Sequence, residues 1–238
     1  MPRKILLLLL CCLLLVATPM YAQTNCADYQ LLRENAAYEL LTYNQKDKQT
    51  GRVTYQVKDI NRNDGKVEAT IQSQVYDEKG EMATEGEFRI GCDNGSIWMD
   101  MQPMMNQTPM GDQQSMDMTM EGDKMLYPSN LQAGQKLEDG TMTMEMKGQG
   151  SAQSMMTMVM KITNRTVEAK EKVQVPAGSF DSYKIRYNTE MENRAMGMKM
   201  PGMRMETVEY YVPEIGVVRS ENYRNGKLMS YSVLSKIK

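Results

Sequence analysis

Histidine is missing from this chain altogether. Its absence removes the commonest general base, the Ser-His-Asp arrangement and zinc sites of histidine type. No G-x-S-x-G elbow and no G-x-x-x-x-G-K-[ST] phosphate loop is found either. KGQGSAQS (Lys147 to Ser154) holds a G-x-G but lacks the third glycine and the flanking apolar strand of a dinucleotide site. DMTMEGD (Asp117 to Asp123) lacks the spacing of a calcium loop. The scattered acidic residues leave a glycosidase-like carboxylate pair open, but no motif points to one. The expectation is a protein without catalytic residues.

A long basic stripe is missing too. The formal charge is −2, and Lys and Arg are dispersed, which argues against a nucleic-acid partner. Only one segment is strongly apolar. Arg3 and Lys4 precede an unbroken run from Ile5 to Ala17, and Ala22 suits the residue before a cleavage site. Residues 1–22 therefore read as a secretory signal peptide, with an uncleaved anchor as the alternative. Cys11 and Cys12 lie inside the apolar run, with leucine on both sides, rather than after a small residue at its end. They read as apolar filler rather than as a lipidation site. No later stretch is long enough to cross a membrane as a helix, so residues 23–238 are expected to form one exported, periplasmic or envelope-associated domain. Two cysteines remain in it, Cys26 and Cys92. In an exported chain an even pair suggests one disulfide; two free thiols are the alternative.

The ordinary core formers are scarce. Leu, Ile, Val and Phe supply only about 15% of residues 23–238, a level typical of disordered chains. The whole chain has 26 methionines. If the protein folds, methionine must fill much of its core.

The pattern along the chain is β. Ala27 to Glu39 suits a short helix or turn with Leu31 and Leu32 facing inward. Strand signals follow at 38–43, 52–60, 66–76, 81–92 and 96–101, separated by turns such as Asp64-Gly65 and Asp93-Asn94-Gly95. After the middle they return at 141–146, 156–163, 166–175, 179–191, 206–212, 217–223 and 227–237. Pro176-Ala177-Gly178 and Pro213-Glu214-Ile215-Gly216 suit tight turns. Residues 102–115 read as a long surface loop. The fold class expected is all-β: a curved antiparallel sheet, an open half-barrel or a sandwich, with little helix.

The methionines alternate. Met142, Met144 and Met146 form one set, and Met156, Met158 and Met160 form another; Met116, Met118 and Met120 repeat the spacing. Period-two spacing puts each set on one face of its strand. If KGQGSAQS turns the chain, the first two sets lie side by side. Two functions fit such a face. It can line a groove for lipid tails or other apolar ligands, because methionine adapts its shape. Alternatively its thioethers can bind Cu(I) or Ag(I). Met196, Met198, Met200, Met203 and Met205 could then wrap an ion if they lay on a flexible loop, and Trp98 could cap a site by a cation–π contact. The plain alternative is that methionine only packs the core. The groove reading makes Trp98 and the 142–146 and 156–160 methionines the candidate ligand contacts, with no cofactor. The metal reading calls for Cu(I).

VQVPAGSFDSYKIRY (Val173 to Tyr187) and VEYYVPEIGVVRSENYRNGKLMSYSVL (Val208 to Leu234) resemble a family of exported bacterial β-rich domains of unknown function, grouped with TapB-like proteins. YELLTYNQKDKQTGRVTYQV and ITNRTVEAKEKV extend the resemblance over most of the chain. It implies a curved antiparallel sheet, similar to the half-barrels of periplasmic lipoprotein carriers. It implies no chemistry.

Overall fold

The computed structural model describes Cys26 and residues 29–63, 65–101, 116–148 and 153–238. The expected signal peptide and the 102–115 loop lie outside these residues. The described residues are nearly all strand. Thirteen antiparallel strands form one sheet: β1 (Ala37–Asn44), β2 (Gln49–Asn63), β3 (Lys66–Tyr76), β4 (Met82–Asp93), β5 (Ser96–Asp100), β6 (Met116–Gly122), β7 (Lys124–Tyr127), β8 (Gly140–Gly148), β9 (Ser154–Val175), β10 (Gly178–Ala195), β11 (Met198–Val212), β12 (Gly216–Arg224) and β13 (Lys227–Ile237). The expected N-terminal helix is a single 3₁₀ turn, Gln30–Leu32, with Leu31 and Leu32 buried as their pattern requires.

Sheet order is β6-β8-β9-β10-β11-β12-β13-β1-β2-β3-β4-β5-β7. The two edge strands are neighbours in the chain, separated by Asp123 alone. One continuous stretch, 116–127, thus pairs with β8 through its first half and with β5 through its second. The Asp123 N–H donates to the Thr141 carbonyl (2.9 Å), and the Thr141 N–H donates back to Asp123 Oδ2 (2.8 Å). Asp123 therefore draws the sheet's edges together into a nearly closed barrel. The first and last strands meet mid-sheet, where β1 pairs with β13 from Tyr38↔Ile237 to Asn44↔Ser230.

Two bulges re-aim side chains. The 156–163 and 166–175 segments, expected as separate strands, are one strand, β9, running through Asn164. That residue takes φ +59°, and Tyr187 stands opposite Asn164 and Arg165 together. An extra residue at a bulge shifts the alternation by one position, so Ile162, Arg165 and Val167 all point inward. On β11, Pro201 and Gly202 oppose Glu192 alone, which keeps Met200 and Met203 on one face despite their odd spacing. A Cβ on Gly202 would come within 2.5 Å of the Met191 carbonyl oxygen. The metal reading of Met196 to Met205 supposes a flexible loop here. It is a strand, because β10 supplies an ordered partner as far as Met198↔Ala195.

Both proline-containing turns are present. At Gly216 φ is +103°, and a Cβ there would lie 2.6 Å from the Tyr29 hydroxyl, so only glycine fits. Cys26 and Cys92 are bonded, tying the N-terminal segment to β4. Closing a loop of 66 residues removes about 4 kcal/mol of unfolded-state entropy in the chain-entropy model.

Candidate functional site

β8 and β9 pair so that Met142 faces Met160, Met144 faces Met158 and Met146 faces Met156. On the other flank of β8, Met144 faces Met120. Met142, Met144, Met146, Met158 and Met160 are all buried, Met142 to 1% exposure, while Met120 and Met156 pack against them half-buried. Paired residues in a sheet share a face, and the face continues. β10 places Met191 opposite Met160, Asn193 opposite Met158 and Ala195 opposite Met156. β11 then places Met203, Met200 and Met198 opposite those three, with Met205 opposite Thr189.

The groove methionines and the metal candidates Met198, Met200, Met203 and Met205 therefore share one face. Its exposure is graded. Met142, Met144, Met146, Met158 and Met160 are sealed, Met156, Met191 and Met205 are intermediate, and Met198, Met200 and Met203 open to solvent, Met198 to 67%. β12 pairs with β11 only from Glu206 onward, so 198–205 extends past it. A cleft of about 380 Å³ lies at that margin, lined mainly by polar residues, Asn188, Glu190, Arg204, Glu206 and Asn225, beside Met205 and Tyr223. Met196 stands apart, in the β10–β11 turn at φ +49°. On this face the Asn193 Oδ1 is buried and accepts no hydrogen bond from any described residue.

Trp98 lies on the opposite face. It pairs with Gly91 and Leu126, while its neighbours Ile97 and Met99 point inward. Its ring covers Gly91, where a Cβ would lie 2.3 Å away, and the Lys124 ammonium sits 3.3 Å above the ring centroid. The cation over this indole is a lysine.

Beyond Ile162 the inner face turns polar, with residues that the sequence pattern does not single out. Arg165 is 1% exposed. Its Nη1 donates to the carbonyls of Glu138 (2.9 Å) and Leu126 (3.1 Å), and its guanidinium lies 5.1 Å from the Tyr127 ring centre. Tyr127 stacks on Tyr211 at 4.4 Å. The hydroxyls of Tyr187 and Tyr127 donate to the two oxygens of Glu209, at 2.7 and 3.0 Å. Burial pushes the Glu209 carboxyl above its ordinary range, and these hydroxyls and the Arg165 charge pull it part of the way back. Burial beside Glu209 also drives Tyr127 and Tyr187 well above the usual phenol range, so both act as donors. Among the described residues no helix is long and apolar enough to cross a membrane, and no three His, Cys, Asp or Glu side chains cluster as a metal site would need.

The DUF3108-like family model matches residues 33–234. The chain belongs to the DUF3108-like family. Two crystal structures share its fold. One, from Bacteroides fragilis NCTC 9343, is described as a "putative exported protein with YmcC-like fold". It is 26% identical, with a TM-score of 0.69 over 87% of this chain and 96% of its own. The other is a "putative lipoprotein" from Parabacteroides distasonis ATCC 8503. It is 21% identical, with a TM-score of 0.70 over 89% of this chain and 98% of its own. No curated protein matches the sequence.

Proposed function

We propose that this DUF3108-like protein is a non-catalytic binding protein, working in the periplasm or at the outer envelope, that carries or senses a single-chain lipid. The observation behind this reading is the graded methionine face. Flexible thioether side chains run from a sealed interior at Met142 and Met144 to an open margin at Met198, Met200 and Met203. An exposed run of large apolar side chains suits an apolar ligand. Methionine, unbranched and with three rotatable bonds, can move aside without breaking the sheet that holds it. The exported neighbour of the same fold fits a site of action outside the cytoplasm.

Native mass spectrometry of protein gently purified from the exported fraction tests it. The expected spectrum carries an added mass of lipid size that organic extraction removes. Met200→Glu with Met203→Glu, at exposed positions that leave the core intact, should release it. A bare spectrum that stays bare after incubation with lipid rejects the reading. The exposed sulfurs of Met198, Met200 and Met203 on one face also favour a second reading, Cu(I) binding. Mass added in single-copper steps and removed by a Cu(I) chelator would select it.

A further inference from the structure

Arg165 is anchored by one nitrogen only. Nη1 takes both carbonyl acceptors, whereas Nε and Nη2 are buried and bond to no described residue. Those two nitrogens form the side-on edge of the guanidinium. Their N–H bonds run parallel, which is the geometry that matches the two oxygens of a carboxylate. A buried donor edge without an acceptor is costly, and for a cation more so. Glu209 does not serve it: its two oxygens accept from the Tyr127 and Tyr187 hydroxyls, and neither Nε nor Nη2 of Arg165 bonds to it.

Position matters as much as chemistry. Met156, Met158, Met160, Ile162 and Arg165 follow one another on the inner face of β9, the last aligned by the Asn164 bulge. From Met158 to Arg165 is roughly 20 Å at the strand rise, the length of a long acyl chain. The residues covering Arg165 from the side are a loop. Leu137 N–H bonds to its carbonyl, and Gly134 and Gln135 pair with Val167.

We propose that the Nε–Nη2 edge of Arg165 receives the carboxylate of a long-chain carboxylic acid whose tail lies along Met160, Met158 and Met156. This inference rests on the lipid reading of the methionine face and adds the headgroup. Glu209 already lies close enough for the Arg165 charge to act on it, so the site tolerates little added negative charge, which favours a singly charged carboxylate over a phosphate dianion. Because Arg165 is sealed in this structure, the ligand reaches it by displacing the methionines.

Displacement of a neutral naphthylamine probe from the full mature chain tests the proposal, with palmitate, hexadecanol and hexadecyl phosphate as competitors. Palmitate should displace the probe at about tenfold lower concentration than hexadecanol, or better. Arg165→Gln should erase that preference, and Arg165→Lys should keep part of it. The palmitate–hexadecanol comparison on the wild-type protein needs no variant, so it stands even if Arg165→Gln does not fold. Equal displacement by acid and alcohol overturns the carboxylate site, as it would if water satisfied the guanidinium, and leaves the methionine face standing. A stronger effect of the alkyl phosphate overturns the carboxylate assignment. No binding of probe or competitor overturns both readings.

Discussion

The hydroxyl of Tyr127 on β7 donates to Glu209 on β11, linking residues 82 positions apart. β7 belongs to the stretch that draws the sheet's edges together, so this bond ties the closing strand to a distant part of the wall. Tyr127→Phe should leave one carboxyl oxygen of Glu209 buried without a donor. The expected cost is about 1–3 kcal/mol in urea denaturation, with an unchanged slope. A variant as stable as the wild type would show that the bond contributes nothing.

Glu209 also sets a pH dependence. Burial holds its folded-state pKa above 4.5, so the folded protein binds this proton more tightly than the unfolded chain. The associated stability is fully present below 4.5 and is lost as pH rises through the folded-state pKa. Glu39 acts in the opposite sense. Hydrogen bonds from Ser235 and Lys236 lower its pKa, so its contribution is present above 4.5 and fades as pH falls through the lowered value. Glu209→Gln removes only the first effect. The difference in Tm between Glu209→Gln and wild type should therefore become more positive from pH 4 to pH 7. A constant difference would contradict this assignment.

Trp98 is the sole tryptophan, so its emission reports one place. Gly91→Ala would drive a Cβ into the indole, 2.3 Å from the nearest ring carbon. The ring must swing away from β4 and lose the Lys124 contact. A red-shifted emission maximum and a loss of about 1–3 kcal/mol are expected. Unchanged emission would mean that the ring does not lie over Gly91.

The Cys26–Cys92 bond predicts a mass two hydrogens below that of the reduced chain. Replacing both cysteines with serine should cost about 2–5 kcal/mol in thermal or urea unfolding.

Much of the sheet was legible because alternation and turn chemistry agree. β3 runs from Lys66 to Tyr76 as its pattern states, and the 142–146 and 156–160 methionines pair as a hairpin requires. The failures share a cause: sequence periodicity assumes an unbroken register. Asn164 reads as a strand end, yet it is a bulge inside β9. Pro201-Gly202 reads as loop, yet it is a bulge inside β11. Arg165 was missed for the same reason, Glu209 for another. A lone charge in a strand normally faces water, and only the shifted register reveals that Arg165 turns inward. One signal was available: asparagine just before Arg165 tolerates the left-handed conformation that such a bulge needs. In TVEYYV, Thr207, Val208 and Glu209 are all buried, so no two-faced pattern marks the glutamate.

The pairing of β1 with β13 has a consequence in time. Tyr38 must wait for Ile237, its partner on β13. A chain delivered from its N-terminus can zip β2, β3 and β4 onto β1 as they emerge, because each is a hairpin with its predecessor. The other flank of β1 stays bare until the last strand arrives. Such late, long-range pairing makes for slow folding and leaves sticky strand edges open meanwhile.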